Sequence, residues 1–210
     1  MSQVQEKQVH KQLEKISVDD AVLVTQSQQG DSVAMSRLIV KYQDRIYNVI
    51  LKICANRDDA AELTQETFVK VIEKINTFEG KSAFYTWLFR VAVNLTLNYC
   101  KRNSKFVTTS LDVPAGPEFD GAKQRLGAFL ADKSASEPAV LAQNKEIGEI
   151  LFRALAQLDE QHRAVVVLRD IEDMSYAAIA EVLGIELGTV KSRLSRARAK
   201  LREVLKVVLK

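Results

Sequence analysis

The sequence predicts an all-α protein: two small helical domains joined by a flexible linker, the C-terminal domain being a helix-turn-helix. Three observations carry that reading. Apolar residues recur at helical spacing through residues 18–105 and again through 139–210, and no segment alternates apolar and polar as a strand does. The prolines Pro114, Pro117 and Pro138 share one window with Gly116, Gly121 and Gly127, and little periodicity survives there. The C-terminal end then runs from a capping serine through a short apolar helix and a glycine into a strongly basic helix.

Residues 1–17 read as an N-terminal extension, and the first domain covers 18–105. Asp19 and Asp20 start a helix that stops at Gly30, and Asp31 or Ser32 caps the next. In that second helix Met35, Leu38, Ile39, Tyr42, Ile46, Val49, Ile50 and Ile53 keep the helical period. A third helix runs from Asp58 to Ile75 with Ala61, Phe68, Val71, Ile72 and Ile75 as its core face. Gly80 breaks the chain, Ser82 caps, and a fourth helix carries Phe84, Trp87, Leu88, Val91, Ala92 and Leu95. The linker, 106–138, holds a short apolar patch, Leu126, Phe129 and Leu130, that suits a transient helix or a contact site. The second domain, 139–210, adds helices at about Leu141 to Gln157 and Asp159 to Asp170. Ser175 then caps a helix with Ala178, Ile179, Val182 and Leu183 inward, Gly184 stops it by taking positive φ, and Gly188 or Thr189 opens the last helix.

Composition sets the class. The chain has 210 residues, 47% hydrophobic and 27% charged, as expected of a soluble globular protein. No stretch reaches the roughly eighteen consecutive apolar residues of a membrane span, and Met1 to Lys15 is polar where a signal peptide needs an apolar core. A cytoplasmic location is therefore expected. Cys54 and Cys100 lack metal-ligand spacing and read as reduced, partly buried thiols. His10 and His162 have no partners for a triad or a metal site, and there is no glycine-rich phosphate loop. The carboxylates at Asp58, Asp59 and Glu62, and at Asp170, Glu172 and Asp173, suit helix starts or surface contacts better than acid–base pairs. No catalytic residue, cofactor, metal or small-molecule substrate is expected.

The chemistry points to nucleic acid. From Lys191 to Lys210 eight basic residues face a single acid, Glu203, a local charge of +7 in a chain of net +3. A basic helix alone suits a solvated amphipathic element whose apolar face, Val190, Leu194, Ala197, Leu201 and Leu205, packs on its neighbours. Preceded by a capped small-residue helix and a glycine turn, it suits a recognition helix in a major groove.

Three features of the first domain exceed a plain core. Asp58, Glu62, Gln65 and Glu66 leave an acidic face on one side of the third helix, which on pattern alone is most simply a solvated face. The run from Thr77 to Trp87 sets Phe78, Phe84, Tyr85 and Trp87 around a loop holding Lys81 and Ser82, a composition suited to stacking an unpaired base, with Trp87 itself better placed in the core. Arg90, Asn94, Asn98, Lys101 and Arg102 share a face of the fourth helix that can follow a nucleic-acid strand.

The stretches Asp58 to Phe68, Phe78 to Asn94 and Gly188 to Arg198 together resemble the extracytoplasmic-function sigma factors of bacterial RNA polymerase, in that family's order and spacing. The resemblance implies a dissociable initiation subunit whose partners are core RNA polymerase and promoter DNA. It implies that the third helix docks on a coiled coil of the polymerase's largest subunit through Asp58, Asp59, Glu62, Leu63, Gln65, Glu66 and Phe68. The loop is implied to capture a base flipped from the minus-ten element. The strand-side set is Lys70, Phe78, Lys81, Ser82, Ala83, Phe84, Tyr85, Thr86, Arg90, Asn94, Asn98, Lys101 and Arg102. The helix-turn-helix is implied to read the minus-thirty-five duplex with Thr189, Lys191, Ser192, Ser195 and Arg196, leaving Arg193, Arg198 and Lys200 nearer phosphates or helix packing. Ser195 departs from the bulkier residue some relatives carry. Members of the family are usually held inactive by an anti-sigma factor, often membrane-bound, and their linker threads polymerase channels.

Two other classes stay open on the residues alone. An autonomous helix-turn-helix regulator would bind duplex DNA without polymerase, but calls for a ligand or dimerisation domain in the first half. An enzyme on single-stranded nucleic acid needs a metal or nucleophile constellation that the sequence lacks.

Overall fold

A computed structural model describes the backbone of residues 20–107 and 138–208, with side chains over 20–103 and 147–206. The N-terminal extension, His10 and the linker patch at Leu126, Phe129 and Leu130 lie outside the described residues. Among those described there is no strand. Helix α1 covers 20–28. It is followed by α2 (Ser32–Cys54), α3 (Arg57–Lys74) with a tight 3₁₀ turn over Ile75–Thr77, and α4 (Phe84–Val107). The second half contains α5 (Pro138–Ala156), α6 (Glu160–Val166) running into a wide π-helical turn over Val167–Ile171, α7 (Tyr176–Leu183) and α8 (Leu187–Val208).

Short polar side chains set the helix starts by accepting from backbone N–H groups that a first turn leaves bare. Asp31 accepts from Val33 (2.8 Å) and Ala34 (3.2 Å), Asn56 from Asp58 (2.9 Å) and Asp59 (3.2 Å), Asp159 from His162 (3.1 Å) and Ser175 from Ala178 (3.1 Å). Two starts differ from expectation. Helix α4 begins at Phe84, its first turn closing on the Ala83 carbonyl, so Ser82 lies one residue too early to cap it. Helix α8 begins at Leu187, because Thr189 and Val190 already donate to Glu186 O. Gly184 ends α7 at φ 62°, as its lack of a Cβ allows. Helix α2 ends at Ala55, which takes φ 61° without that advantage and which nothing in the sequence marks.

In the first half α2, α3 and α4 pack on one another, with Leu38, Ile46, Val49, Ile50, Ile53, Ala60, Val71, Leu88, Phe89, Ala92 and Val93 almost wholly buried. The Gln28 side chain donates to Ile75 O (3.0 Å) and Phe78 O (2.9 Å), tying the α1 end to the loop before α4. In the second half α5, α6 and α7 each pack on α8. The halves do not keep separate cores. Helix α4 packs against α7, and α2 against α5, α6 and the π-helical turn, so a continuous apolar cluster joins both halves.

Arg163 pins this junction. It is 7% exposed, and its guanidinium donates to Ile53 O (2.6 Å) near the end of α2, to Ala156 O (3.1 Å) at the end of α5, and to Leu158 O (2.7 Å). Helix C-termini carry bare carbonyls and the negative end of the helix dipole, so one cation satisfies two helix ends at once. Burial pulls the guanidinium below its ordinary pKa, yet arginine keeps its proton in proteins. At the rim Arg45 Nε meets Glu172 Oε2 at 2.5 Å. Replacing Arg163 with alanine leaves these carbonyls unmatched. Chemical denaturation should show a loss of about 1–3 kcal/mol, with Arg163→Lys recovering only part because a single ammonium nitrogen cannot stand where two guanidinium nitrogens reach separate carbonyls. An alanine variant as stable as the native chain would remove Arg163 from this role.

Candidate docking face and nucleic-acid interface

Helix α3 turns its inner side toward the core with Ala60, Leu63, Thr67, Phe68 and Val71. The sequence expectation of Ala61 and Ile72 on that side fails: Ala61 is exposed and Ile72 is 50% exposed. The stripe is displaced because Thr67 counts as polar by sequence, yet its hydroxyl donates to Leu63 O at 2.7 Å and is thereby satisfied inside. Leu63 (3% exposed) and Phe68 (8%), which the resemblance put on the docking face, therefore belong to the core. What faces outward is Asp58, Glu62, Gln65 and Glu66, with Val69 (52% exposed) and Ile72 beside them. Asp59 is half-buried and accepts from the Tyr99 hydroxyl at 2.6 Å, a bond that raises the phenol's pKa. Glu66 pairs with Lys70 one turn on. Val69 is absent from the residues expected on this face, because nothing in its neighbours marks an exposed valine.

The loop from Phe78 to Ala83 has a buried base and an exposed tip. Phe84 is 5% exposed and lies 5.8 Å, ring centroid to centroid, from Tyr42, from Phe78 and from Trp87, with Phe78 and Trp87 5.4 Å apart. Thr86 is also buried. Phe84 and Thr86 thus leave the set of surface contacts expected from sequence, since the first turn of α4 carries them inward. Lys81 and Ala83 are exposed at the tip with Glu79 and Gly80, and Lys81 pairs with Glu79. Ser82 and Tyr85 are half-buried, with the Tyr85 ring 6.1 Å from Phe89. Gly80 turns the chain at φ 71°.

Along α4 the expected polar face divides. Asn98, Lys101 and Arg102 are exposed and, with Glu66, Lys70 and Leu95, line a groove between α3 and α4. Arg90 and Asn94 instead meet the second half. Arg90 Nη2 lies 2.6 Å from Glu181 Oε1, its Nε donates to Glu181 O (3.1 Å), and Asn94 Nδ2 donates to Val182 O (3.4 Å).

Helix α8 buries Val190, Leu194 and Ala197 and so turns the intervening residues outward. Lys191, Ser192, Ser195, Arg196 and Lys200 are exposed, while Thr189 and Arg193 are half-buried. Arg198 hydrogen-bonds Asp170, Nε to Oδ2 at 3.1 Å, and that carboxylate holds its pKa above the ordinary value. Arg198 is exposed and spans to the turn before α7 through this pair. The second acidic cluster is likewise spent on ion pairs: Asp170 with Arg198, Glu172 with Arg45 and Asp173 with Arg169. His162 Nδ1 sits 2.6 Å from Asp159. Among the described residues no His, Cys, Asp and Glu group could hold a metal ion. Both thiols are free and half-buried, and burial pushes Cys54 to about 11 and Cys100 to about 12, leaving little thiolate at neutral pH.

The described residues thus combine an aromatic-based loop with a helix-turn-helix, and among them every regular element is helical. Residues 38–106 match the family model for Sigma-70 region 2, and residues 148–201 match that for Sigma-70, region 4. The ECF RNA polymerase sigma-E factor of Escherichia coli strain K12 is 35% identical over 179 residues, spanning 85% of this chain and 90% of that protein. The same factor from Haemophilus influenzae is 35% identical over 179 residues, spanning 85% and 91%. The chain belongs to the extracytoplasmic-function sigma factors of RNA polymerase. Two solved structures share the fold: CnrH in complex with the cytosolic domain of CnrY (TM-score 0.61, 23% identity, 90% of this chain and 98% of that one). The second is the sigma factor RpoE with the anti-sigma factor NepR from Bartonella quintana (TM-score 0.60, 24%, 82% and 96%).

The division between loop base and loop tip is measurable by stability alone. Phe84→Ala should cost about 3–5 kcal/mol of unfolding free energy, as for a fully packed ring. Lys81→Ala should stay within about 0.5 kcal/mol of the native chain. Similar small effects from both would contradict the buried position of Phe84.

Proposed function

We propose that this chain reads promoters in two parts: α8 takes the minus-thirty-five element as duplex, and the loop tip takes an unpaired base of the minus-ten element. The observation that carries this reading is the pairing, in one family member, of an exposed basic helix face with a separate aromatic-based loop. Thr189, Lys191, Ser192, Ser195 and Arg196 enter the major groove, and Arg193 and Lys200 approach phosphates. Lys81, Ser82, Ala83 and Tyr85 surround the flipped base, Phe78 and Phe84 supporting them from beneath. Arg90, Asn94, Asn98, Lys101, Arg102 and Lys70 then follow the opened strand, contacts that position rather than specify.

Core polymerase docks on the outer side of α3, where Asp58, Glu62, Gln65 and Glu66 supply acceptors and Val69 and Ile72 supply apolar area. Asp59, held by Tyr99, shapes this face from its edge. The chain works as a non-enzymatic subunit in the cytoplasm. Among the described residues no helix is long and apolar enough to cross a membrane. An anti-sigma factor is the expected inhibitor, as NepR is bound to RpoE in the solved complex.

In vitro transcription with core enzyme and a promoter library tests the reading. Promoter-dependent transcripts are expected, and none, with no binding to core, would end it. Changing Asp58 and Glu66 together to alanine should weaken core binding severalfold while leaving the melting temperature nearly unchanged; a large fall in thermal stability would assign these carboxylates to the fold instead. Lys200→Ala should weaken duplex binding and make the log-affinity against log-salt slope shallower by about 1. An unaltered slope would place Lys200 off the phosphates.

A further inference from the structure

Helix α1 holds the base of the Phe78–Ala83 loop from both of its ends. At its start the Asp20 carboxylate, on a residue only 6% exposed, accepts from Lys41 Nζ (2.6 Å) and from the Tyr42 hydroxyl. Burial, and then that bond, push the Tyr42 phenol well above its ordinary pKa, so it stays a donor, and its ring lies against Phe84 beneath the loop. At the other end the chain turns at once toward α2, Gly30 N returning to Ser27 O and Asp31 N to Gln26 O, both at 3.0 Å. The last helical residue before that turn is Gln28. Its Nε2 donates to Ile75 O (3.0 Å) and to Phe78 O (2.9 Å), one hydrogen of the amide for each end of the tight turn that opens the loop. Ile75 O also accepts from Phe78 N at 3.1 Å, so both of its lone pairs are filled. The chemistry at this point is particular: two carbonyls converge on one nitrogen, where a carboxylate of the same length would bring only acceptors and an alkyl chain nothing.

We propose that Gln28 is a positioning residue for base choice: by holding the Ile75 and Phe78 carbonyls it fixes where the loop tip stands, and so sets how sharply the tip discriminates among the four bases. This rests on the base-capturing role proposed for the loop. Beyond Phe78 the chain is fixed again where Thr86 N and Trp87 N close on Ala83 O, at 3.0 and 3.2 Å. The exposed tip, with Gly80 and Lys81, hangs between these two anchors. The exit anchor belongs to α4 itself. At the entry, Phe84 and Trp87 pack against the Phe78 ring and hold the side chain, while Gln28 holds the backbone, and the backbone aims the residues that follow. A site that tells one base from another must keep its polar groups within about 0.5 Å of their productive places. With the entry carbonyls released, the tip samples wider positions, and contacts that favour one base are averaged over all four. Gln28 thus acts through Phe78 and not on the base.

The test uses holoenzyme made with the full chain, transcribing one promoter pool randomised across the minus-ten element and a second randomised across the minus-thirty-five element. Sequencing the products gives the preference for best over worst base at each position. Gln28→Leu, similar in bulk but without donors, should lower the preference at the captured base about fivefold, as the loss of one hydrogen bond's worth of order would. The minus-thirty-five preference should stay as it is. A merely structural loss reduces the active fraction, which scales every promoter in a pool equally and moves neither preference. Gln28→Lys, which again offers several donors from one nitrogen, should keep most of the minus-ten preference. An undiminished preference in the leucine variant, or leucine and lysine variants that lose it alike, would overturn the proposal. Changing Lys81 and Ser82 together to alanine separates this from the underlying reading. If that change alters the minus-ten preference while Gln28→Leu does not, base capture stands and the positioning role falls. If it leaves the minus-ten preference unaltered, the loop reading falls and takes the proposal with it.

Discussion

A buried guanidinium must find acceptors in place of water, and in this chain the acceptors that Arg163 finds belong to both halves. Its donors reach the carbonyl ends of α2 and α5, which would otherwise stand bare. That constraint fixes where the second half sits. Once α6 is anchored on the end of α2, the π-helical turn after it faces α2 and α7 comes to rest on α4. The turn allows this because Glu172 N reaches back five residues to Val167 O and Asp173 takes φ 51°, redirecting the chain into the Ser175 cap.

Helix α4 serves several ends at once, which explains the mixed character of its sequence. Its first turn carries Phe84 and Thr86 inward and so supports the loop tip from below. Its middle buries Leu88, Phe89, Ala92 and Val93, while Arg90 and Asn94, between these, face α7. Further along, Asn98, Lys101 and Arg102 are exposed. One helix therefore joins loop, core and proposed strand face.

Much of this was legible in the residues. Asp31, Ser175 and Gly184 act as their chemistry requires, and the α2 stripe from Met35 to Ile53 packs almost as its period indicates, with Ile39 at its edge. The family followed from three linked stretches rather than from any one. The misses share a cause: single-residue polarity does not report pairing. Thr67 satisfied its own hydroxyl and went inside, shifting the α3 stripe and sending Ile72 outward. Arg163, of a residue type that is mostly exposed, is core. Aromatics around the loop looked like ligands' neighbours, yet four rings that stack on each other bury one another first. The packing of one half on the other was not legible at all, because it depends on contacts between residues some ninety to one hundred and ten positions apart.

The account stands on the free chain being one packed unit, its halves joined at Arg163. A spin-label pair at Asn76 and Glu186, both exposed and one on each half, measures this directly in a chain with Cys54 and Cys100 replaced by alanine. A single narrow distance in the free protein, broadened by Arg163→Ala, is the predicted result. A broad distribution in the native free chain would contradict it.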